Sequence, residues 1–237
     1  MKRSQARPTP SQLERPILSV DVVLLHADRA KLHALLLRRT EQPFLGALAL
    51  PGVAVRVDET LEFAARRALV TKTGLAADHA AGLHLEQVAT FDALFRDPRG
   101  RTVTVAHMAL SAARLPIEPG SAGAWIELSR IPRGSLPFDH DEILQTTLSR
   151  LRGKLRYTNI AARLLGDTFR LEELQSVYEA ILGRTLNRSN FRTKLLKIGL
   201  IERAGVMAGS TGAQGGRPPH LFRFTRQDVA AEDREFV

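Results

Sequence analysis

With 237 residues, 44% of them hydrophobic, the chain is long enough for two compact domains and apolar enough to give each a core. It has no cysteine, which excludes a disulfide framework, a thiolate nucleophile and a Cys-based zinc site. The net charge of +9 points to a polyanionic partner and is concentrated: Arg150 to Arg226 holds 15 Lys and Arg against five Asp and Glu, an excess of ten, as in nucleic-acid-binding domains.

Residues 1–16 are polar, hold three prolines and lack the apolar stretch of a signal peptide, so a disordered arm is expected there. The longest apolar runs are of strand length, as in Val22 to Leu25, and a soluble cytoplasmic protein without a membrane partner is expected. Val20 to Leu25 and Ala34 to Arg39 flank the turn-like Asp28 to Lys31 and predict a hairpin. Gln87 to Phe91 and Thr102 to Ala112, the latter alternating through Val103, Val105 and His107, predict two more strands joined by the arginine-rich loop Arg96 to Arg101. Trp125-Ile126 reads as a last strand before the break at Pro132, Gly134 and Pro137. Residues 17–137 are thus expected to form an α/β sandwich around one helix.

That helix carries the first chemical signal. In the stretch Leu50-Pro51-Gly52-Val53 through Glu59, Arg67 and Gly74, the positions of Glu59, Arg67 and Gly74 match the frame of the Nudix box, a strand-loop-helix-loop that holds divalent metal against a diphosphate. The resemblance places the three metal-binding carboxylates of that family at Ala68, Thr71 and Lys72, and none of these side chains can ligate a hard cation. Metal-assisted hydrolysis loses its means, and Lys72 instead offers a point charge to a ligand phosphate. Val53 replaces the second glycine of the family's Gly-Gly pair, which alters the loop.

Past residue 137 the period becomes helical. Residues 138–155 predict a connecting helix with an Asp139/Glu142 capping box and an apolar stripe of Ile143, Leu144, Leu148 and Leu151. A short helix from Thr158 to Leu165 is followed by a stripe of Leu171, Leu174, Val177, Tyr178, Ile181 and Leu182 that stops at Gly183. The next helix starts at Asn187 or Ser189. It buries Phe191, Leu195 and Ile198 and gathers Asn190, Thr193, Lys194 and Lys197 on a polar face, the pattern of a helix-turn-helix recognition helix. Leu200 to Arg203 and Leu221 to Phe224 predict two strands around the tip Gly215-Gly216-Arg217-Pro218-Pro219, which reads as a wing with one arginine for a minor groove. An α+β winged helix-turn-helix domain over 156–227 and a tail over 228–237 complete the chain.

The run Leu136-Pro137-Phe138-Asp139-His140, Leu151 to Thr158, Val177 to Gly183, Asn190 to Leu196 and Gly215 to Pro218, together with the box, resembles the Nudix-related transcriptional regulators of NAD metabolism. The resemblance covers nearly everything from Leu18 to Phe224. It implies a homodimeric repressor whose degenerate Nudix-like domain binds ADP-ribose or a related NAD-derived nucleotide. It also implies a winged helix on a palindromic double-stranded operator near genes of NAD synthesis or salvage. No catalytic residue, bound metal or cofactor other than the effector is expected. Ligand contacts are expected from Arg38, Arg39, Arg67 and the arginines of the Arg96 to Arg101 loop, Arg99 and Arg101 foremost, whose guanidinium groups suit bidentate phosphate binding, from Glu59 and Lys72, and from Phe44 stacked on adenine. Glu59 and Arg67 also fit a plain loop-to-helix salt bridge. DNA contacts are expected from Thr158, Asn159, Arg188, Asn190, Arg192, Thr193, Lys194, Lys197 and Arg217. Two alternatives stay open: a Nudix hydrolase drawing on Asp58, Glu59 and Glu62, and a regulator answering to a different nucleotide or sugar.

Overall fold

The computed structural model describes residues 15–206, 219–226 and 228–229. Arg217 and its glycine-rich tip lie outside the described residues, as do residues 1–14 and 230–237.

The predicted hairpin forms from β1 (Ile17–Asp28) and β2 (Lys31–Arg38), paired antiparallel with Leu25 opposite Ala34. The sheet runs β3 (Leu48–Ala49), β2, β1, β6 (Thr102–Ser111), β5 (His84–Phe91), with β4 (Gly52–Ala54) on β1 and β7 (Gly123–Glu127) on β2. β1 and β6 are parallel neighbours at its centre. β1 is buried from Val20 to His26 and β6 along nearly its whole length, so the alternation expected for β6 gives way to burial on both faces. The physical reason is that helices cover both sides of the sheet, which removes the solvent face that period two requires.

On one side lies the box helix α1 (Leu61–Thr73), packing Ala64, Ala65, Ala68 and Leu69 on Val20, Val22, Leu24, Leu35, Ala109 and Trp125. Thr60 caps its start by accepting the Phe63 N–H at 3.2 Å. Gly74 ends it at φ 74°, where a Cβ would stand 2.6 Å from that of Ser121. A short helix α2 (Ala77–Gly82) leads back to the sheet, its carbonyls held by Arg66, which donates to Ala81 at 3.0 Å.

On the other side lie α3 (His140–Leu155) and α4 (Leu171–Leu182). The predicted stripe of α3 is buried in full, and Leu174, Val177, Tyr178 and Ile181 of α4 join it in one continuous cluster with Val23, Leu25, Leu36 and Met108 of the sheet. The Ala30 N–H at the β1–β2 turn also donates to Ser176 Oγ of α4 at 2.6 Å. The two domains therefore share a core, and α3 is a packed strut between them. Its expected capping box is corrected: Asp139 occupies the N-cap but caps no helix N–H, because its carboxylate is taken by Arg96.

A five-residue 3-10 helix, Ile160–Leu164, stands where the short helix was expected. Then come α4, ended by Gly183 at φ 68°, and α5 (Arg188–Lys197), whose N-cap Asn187 accepts the Asn190 N–H at 3.0 Å. A small sheet orders β8 (Phe169–Arg170), β10 (His220–Phe224) and β9 (Ile201–Val206), so the two predicted strands follow α5 and pair antiparallel. Among the described residues no helix is long and apolar enough to cross a membrane.

Candidate ligand pocket and nucleic-acid interface

A cavity of about 950 Å³ opens where β1, β2, β4 and α1 meet the Arg96–Arg101 loop and the start of α3. Its lining includes Arg38, Arg39, Arg56, Arg67, Lys72, Arg96 and Arg99 against Asp21, Glu41 and Asp97, a cationic surplus suited to a multiply charged anion.

Lys72 and Thr71 line the cavity from α1, while Ala68 is fully buried under the helix in its core. Thr71 Oγ turns back to the Arg67 carbonyl at 2.8 Å. Two acidic groups of the box are held by neighbours: Glu62 by Arg66 at 2.8 Å, and Glu59 by Arg67, whose Nε donates at 2.9 Å. Glu59 also accepts the Arg56 N–H at 2.8 Å, and Arg67 donates to the Ala54 carbonyl at 2.9 Å. The pair therefore stitches the box loop to α1. Hydrogen bonds from Arg67 hold the Glu59 carboxyl down at about 2.

The remaining expected ligand residues divide. Arg38 and Arg39 line the cavity while bonding carbonyls of the 43–46 turn, to Gly46 at 2.6 Å and to Pro43 at 2.7 Å. Arg99 lines it and is held by Asp97 at 2.7 Å. Burial, and then the nearness of Arg99, lower the Arg39 pKa. Arg101 does not join the lining: it donates to the Asp92 carbonyl at 2.6 Å and braces the loop from behind. Phe44 is also outside the lining; its ring meets Phe138 edge-on at 5.0 Å, and Phe138 is the aromatic residue that faces the cavity.

Phe138 carries a left-handed φ of 59°, uncommon for a bulky side chain. Arg39 and Arg99 lie 5.0 and 5.5 Å from its ring centroid, which fixes the ring between charged neighbours.

Of the floor of the cavity, sequence reasoning expected Arg96, among the loop arginines, and missed Asp21, Asp139 and His140. Asp21 and Arg96 are buried there, joined at 3.2 Å, and Arg96 grips Asp139 at 2.6 and 2.7 Å. His140 Nδ1 accepts the Leu50 N–H at 3.0 Å, which leaves its Nε2 facing Asp21 at 3.6 Å. Burial pushes the Asp21 carboxyl up, but His140, Thr104 and Arg96 outweigh it and hold the group below the ordinary carboxylate range. A Cβ on Gly52 would come within 2.1 Å of Asp21 Oδ1, so glycine lets the box loop lie on this carboxylate. The missed signal was a charge in the apolar run Val20-Asp21-Val22-Val23.

The second candidate surface is α5. Arg188, Asn190, Arg192, Thr193, Lys194 and Lys197 are all exposed, while Leu195 is buried and Phe191 packs edge-on to Tyr178 at 5.0 Å. Among the described residues Arg192, Lys194 and Lys197 make no ion pair, whereas Arg188 pairs with Glu172. Thr158 and Asn159 do not belong to this face. Both are buried: Thr158 Oγ donates to the Lys154 carbonyl at 2.8 Å, and Asn159 donates to the carbonyls of Arg226 and Asp228, each at 2.9 Å.

Comparison with known proteins matches the same two parts. The NUDIX domain model covers residues 15–147, and the NrtR DNA-binding winged helix domain model covers residues 161–224. The chain is 35% identical over 223 residues, 92% of it and 86% of the relative, to the ADPR responsive transcriptional repressor NtrR of Acinetobacter baylyi. It superposes with a TM-score of 0.73 and 31% identity on Shewanella oneidensis NrtR complexed with a 27mer DNA, covering 93% of this chain and 99% of that one. The NUDIX domain of that Shewanella protein, complexed with ADP ribose, matches at a TM-score of 0.51 and 32% identity over 62% of this chain and 95% of that one.

Proposed function

Because this chain belongs to the NrtR regulators, with a NUDIX domain followed by an NrtR DNA-binding winged helix domain, we propose that it represses transcription and senses ADP-ribose without hydrolysing it. The observation that carries this reading is Lys72: an ammonium lines the cavity from the helix face where the box frame calls for metal-binding carboxylates. A cation fixed in the wall attracts a diphosphate as a bound metal would, but it cannot generate a hydroxide nucleophile. Binding of the nucleotide accordingly needs no divalent cation.

Arg38, Arg39, Arg67 and Arg99 supply further phosphate donors, and Phe138, with Phe44 behind it, supplies the surface for a base. The target genes are those of NAD synthesis or salvage, and two copies of the chain engage a palindromic operator, each laying α5 in a major groove. Arg192, Lys194 and Lys197, exposed and without an ion pair among the described residues, are suited to phosphates and base edges there. The test is titration of the full chain onto labelled DNA from its own upstream region at fixed salt, with and without ADP-ribose, in the presence of a chelator. A ligand-dependent shift supports the reading. Release of AMP and ribose phosphate on adding magnesium would instead revive the hydrolase alternative.

A further inference from the structure

The floor of the cavity is also the start of the strut between the domains. Asp139 is the N-cap of α3, and both of its carboxylate oxygens are held by Arg96. Arg96 lines the cavity with only 4% of its side chain exposed, and its guanidinium is shared between Asp139 and Asp21. Two carboxylates on one guanidinium leave this floor one negative charge in excess beneath a cationic ring. That excess repels the anion the ring attracts. The conflict ends if a ligand phosphate takes the place of one carboxylate on Arg96.

Both carboxylates are nearly enclosed, at 9 and 11% side-chain exposure, but Asp21 is poorly placed to leave, being held within β1 and faced by His140 at 3.6 Å. Asp139 lies at the tip of a helix. We propose that Arg96 is a phosphate-reading residue that exchanges Asp139 for the ligand, and that this exchange is the contact through which the pocket acts on α3 and the DNA-binding domain. The proposal rests on the ligand reading above for its ligand, though not for its mechanical half.

The consequence for α3 follows from its first turn. The Ile143 N–H bonds to the Asp139 carbonyl at 3.0 Å, so a released Asp139 loosens that turn. Asp141 accepts the N–H groups of Gly134 and Leu136 at 3.0 and 2.9 Å, which anchors the helix when Asp139 lets go. Ile143, Leu144, Leu148 and Leu151 then carry the movement into the core shared with α4, which supports α5. The change is a shift between two arrangements of a packed element.

The test uses the full chain and the variant Asp139→Asn, which keeps the shape and leaves Arg96 its partner Asp21. Hydrogen exchange of the amides of residues 142–145 and affinity for the promoter fragment are read with and without ADP-ribose, with Glu142→Gln as a control for lost helix-start charge. In the wild type, ADP-ribose should slow exchange around the pocket wall and speed it at 142–145. The ligand-free Asp139→Asn protein should already show the fast exchange and the promoter affinity of the ligand-saturated wild type, a change of about 5- to 150-fold, and respond no further. Glu142→Gln should behave as wild type.

Slowed exchange at the pocket with 142–145 unmoved would overturn the exchange, as would an Asp139→Asn protein that keeps the full wild-type response. If ADP-ribose leaves the pocket wall unchanged, the ligand reading fails by itself. The ligand-free Asp139→Asn protein then decides the latch: wild-type promoter affinity overturns it, and a shifted affinity matched by fast exchange at 142–145 upholds it. Should Asp139→Asn unfold, Arg96→Lys, which gives up the two-pronged grip on Asp139, must show the same shifted affinity, and a wild-type response from it overturns the proposal.

Discussion

The pocket and α5 both carry dense positive charge, but they handle it in opposite ways. In the pocket five of the seven lining cations already have a partner in the chain: Arg67 has Glu59, Arg99 has Asp97, Arg96 has two aspartates, and Arg38 and Arg39 hold backbone carbonyls, which leaves Arg56 and Lys72 without an ion pair among the described residues. On α5, Arg192, Lys194 and Lys197 stand in solvent without an ion pair among the described residues. The difference teaches that charge in the pocket serves shape as well as ligand, so a ligand must compete for it. Apart from Arg188, which pairs with Glu172, the charge on α5 has no such role in the described residues.

Substitutions should separate the two regions. The largest effect is expected from Ala68→Glu, which restores a box carboxylate at a fully buried position. It should cost about 3 kcal/mol or more in chemical denaturation, because an unpaired charge enters a packed core. A stability equal to wild type would mean that α1 does not seat as described. Next comes Lys72→Glu, expected to weaken ADP-ribose binding by about 10- to 100-fold in calorimetry, the worth of a charge-assisted contact, while leaving promoter affinity of the ligand-free protein unchanged.

Arg192→Ala and Lys194→Ala should leave the melting temperature within error. Each should flatten the salt dependence of DNA binding by about one unit of slope if it neutralises a phosphate. Loss of stability there would break the contrast between the regions. The smallest effect is expected at Glu59. Its carboxyl is depressed in the folded chain to about 2 from an ordinary 4.5, so its contribution is present above the ordinary value and is lost as pH falls through the folded one. Glu59→Gln should therefore lower the melting temperature at neutral pH, and the gap from wild type should close as pH is taken from about 5 toward 2.

Legibility in the sequence followed the same divide. Helix stripes report burial of one face, and α4 and α5 stand where periodicity put them, while the β1–β2 pair stands where aliphatic runs around a turn put it. The box frame located α1, because Glu59, Arg67 and Gly74 are tied to a local strand-loop-helix geometry. What escaped was long-range. Nothing in the local pattern says that Asp21, Arg96 and Asp139, distant in the chain, converge on one point, or that Asp139 serves Arg96 in preference to its own helix. Phe138 was quoted as part of a motif without a role, whereas its left-handed backbone turns it into the cavity beside Arg39 and Arg99. Thr158 and Asn159 looked like polar groups at a helix start, but both are buried, Thr158 bonded back to the Lys154 carbonyl and Asn159 to the carbonyls of Arg226 and Asp228 beyond β10.

The most direct test of a metal-free nucleotide sensor is fluorescence anisotropy of the labelled upstream fragment, titrated with the full chain in EDTA with and without ADP-ribose. The account predicts sequence-specific binding whose midpoint ADP-ribose moves by about fivefold or more with no divalent metal present. A midpoint that ADP-ribose leaves in place, or moves only when magnesium is restored, would contradict it.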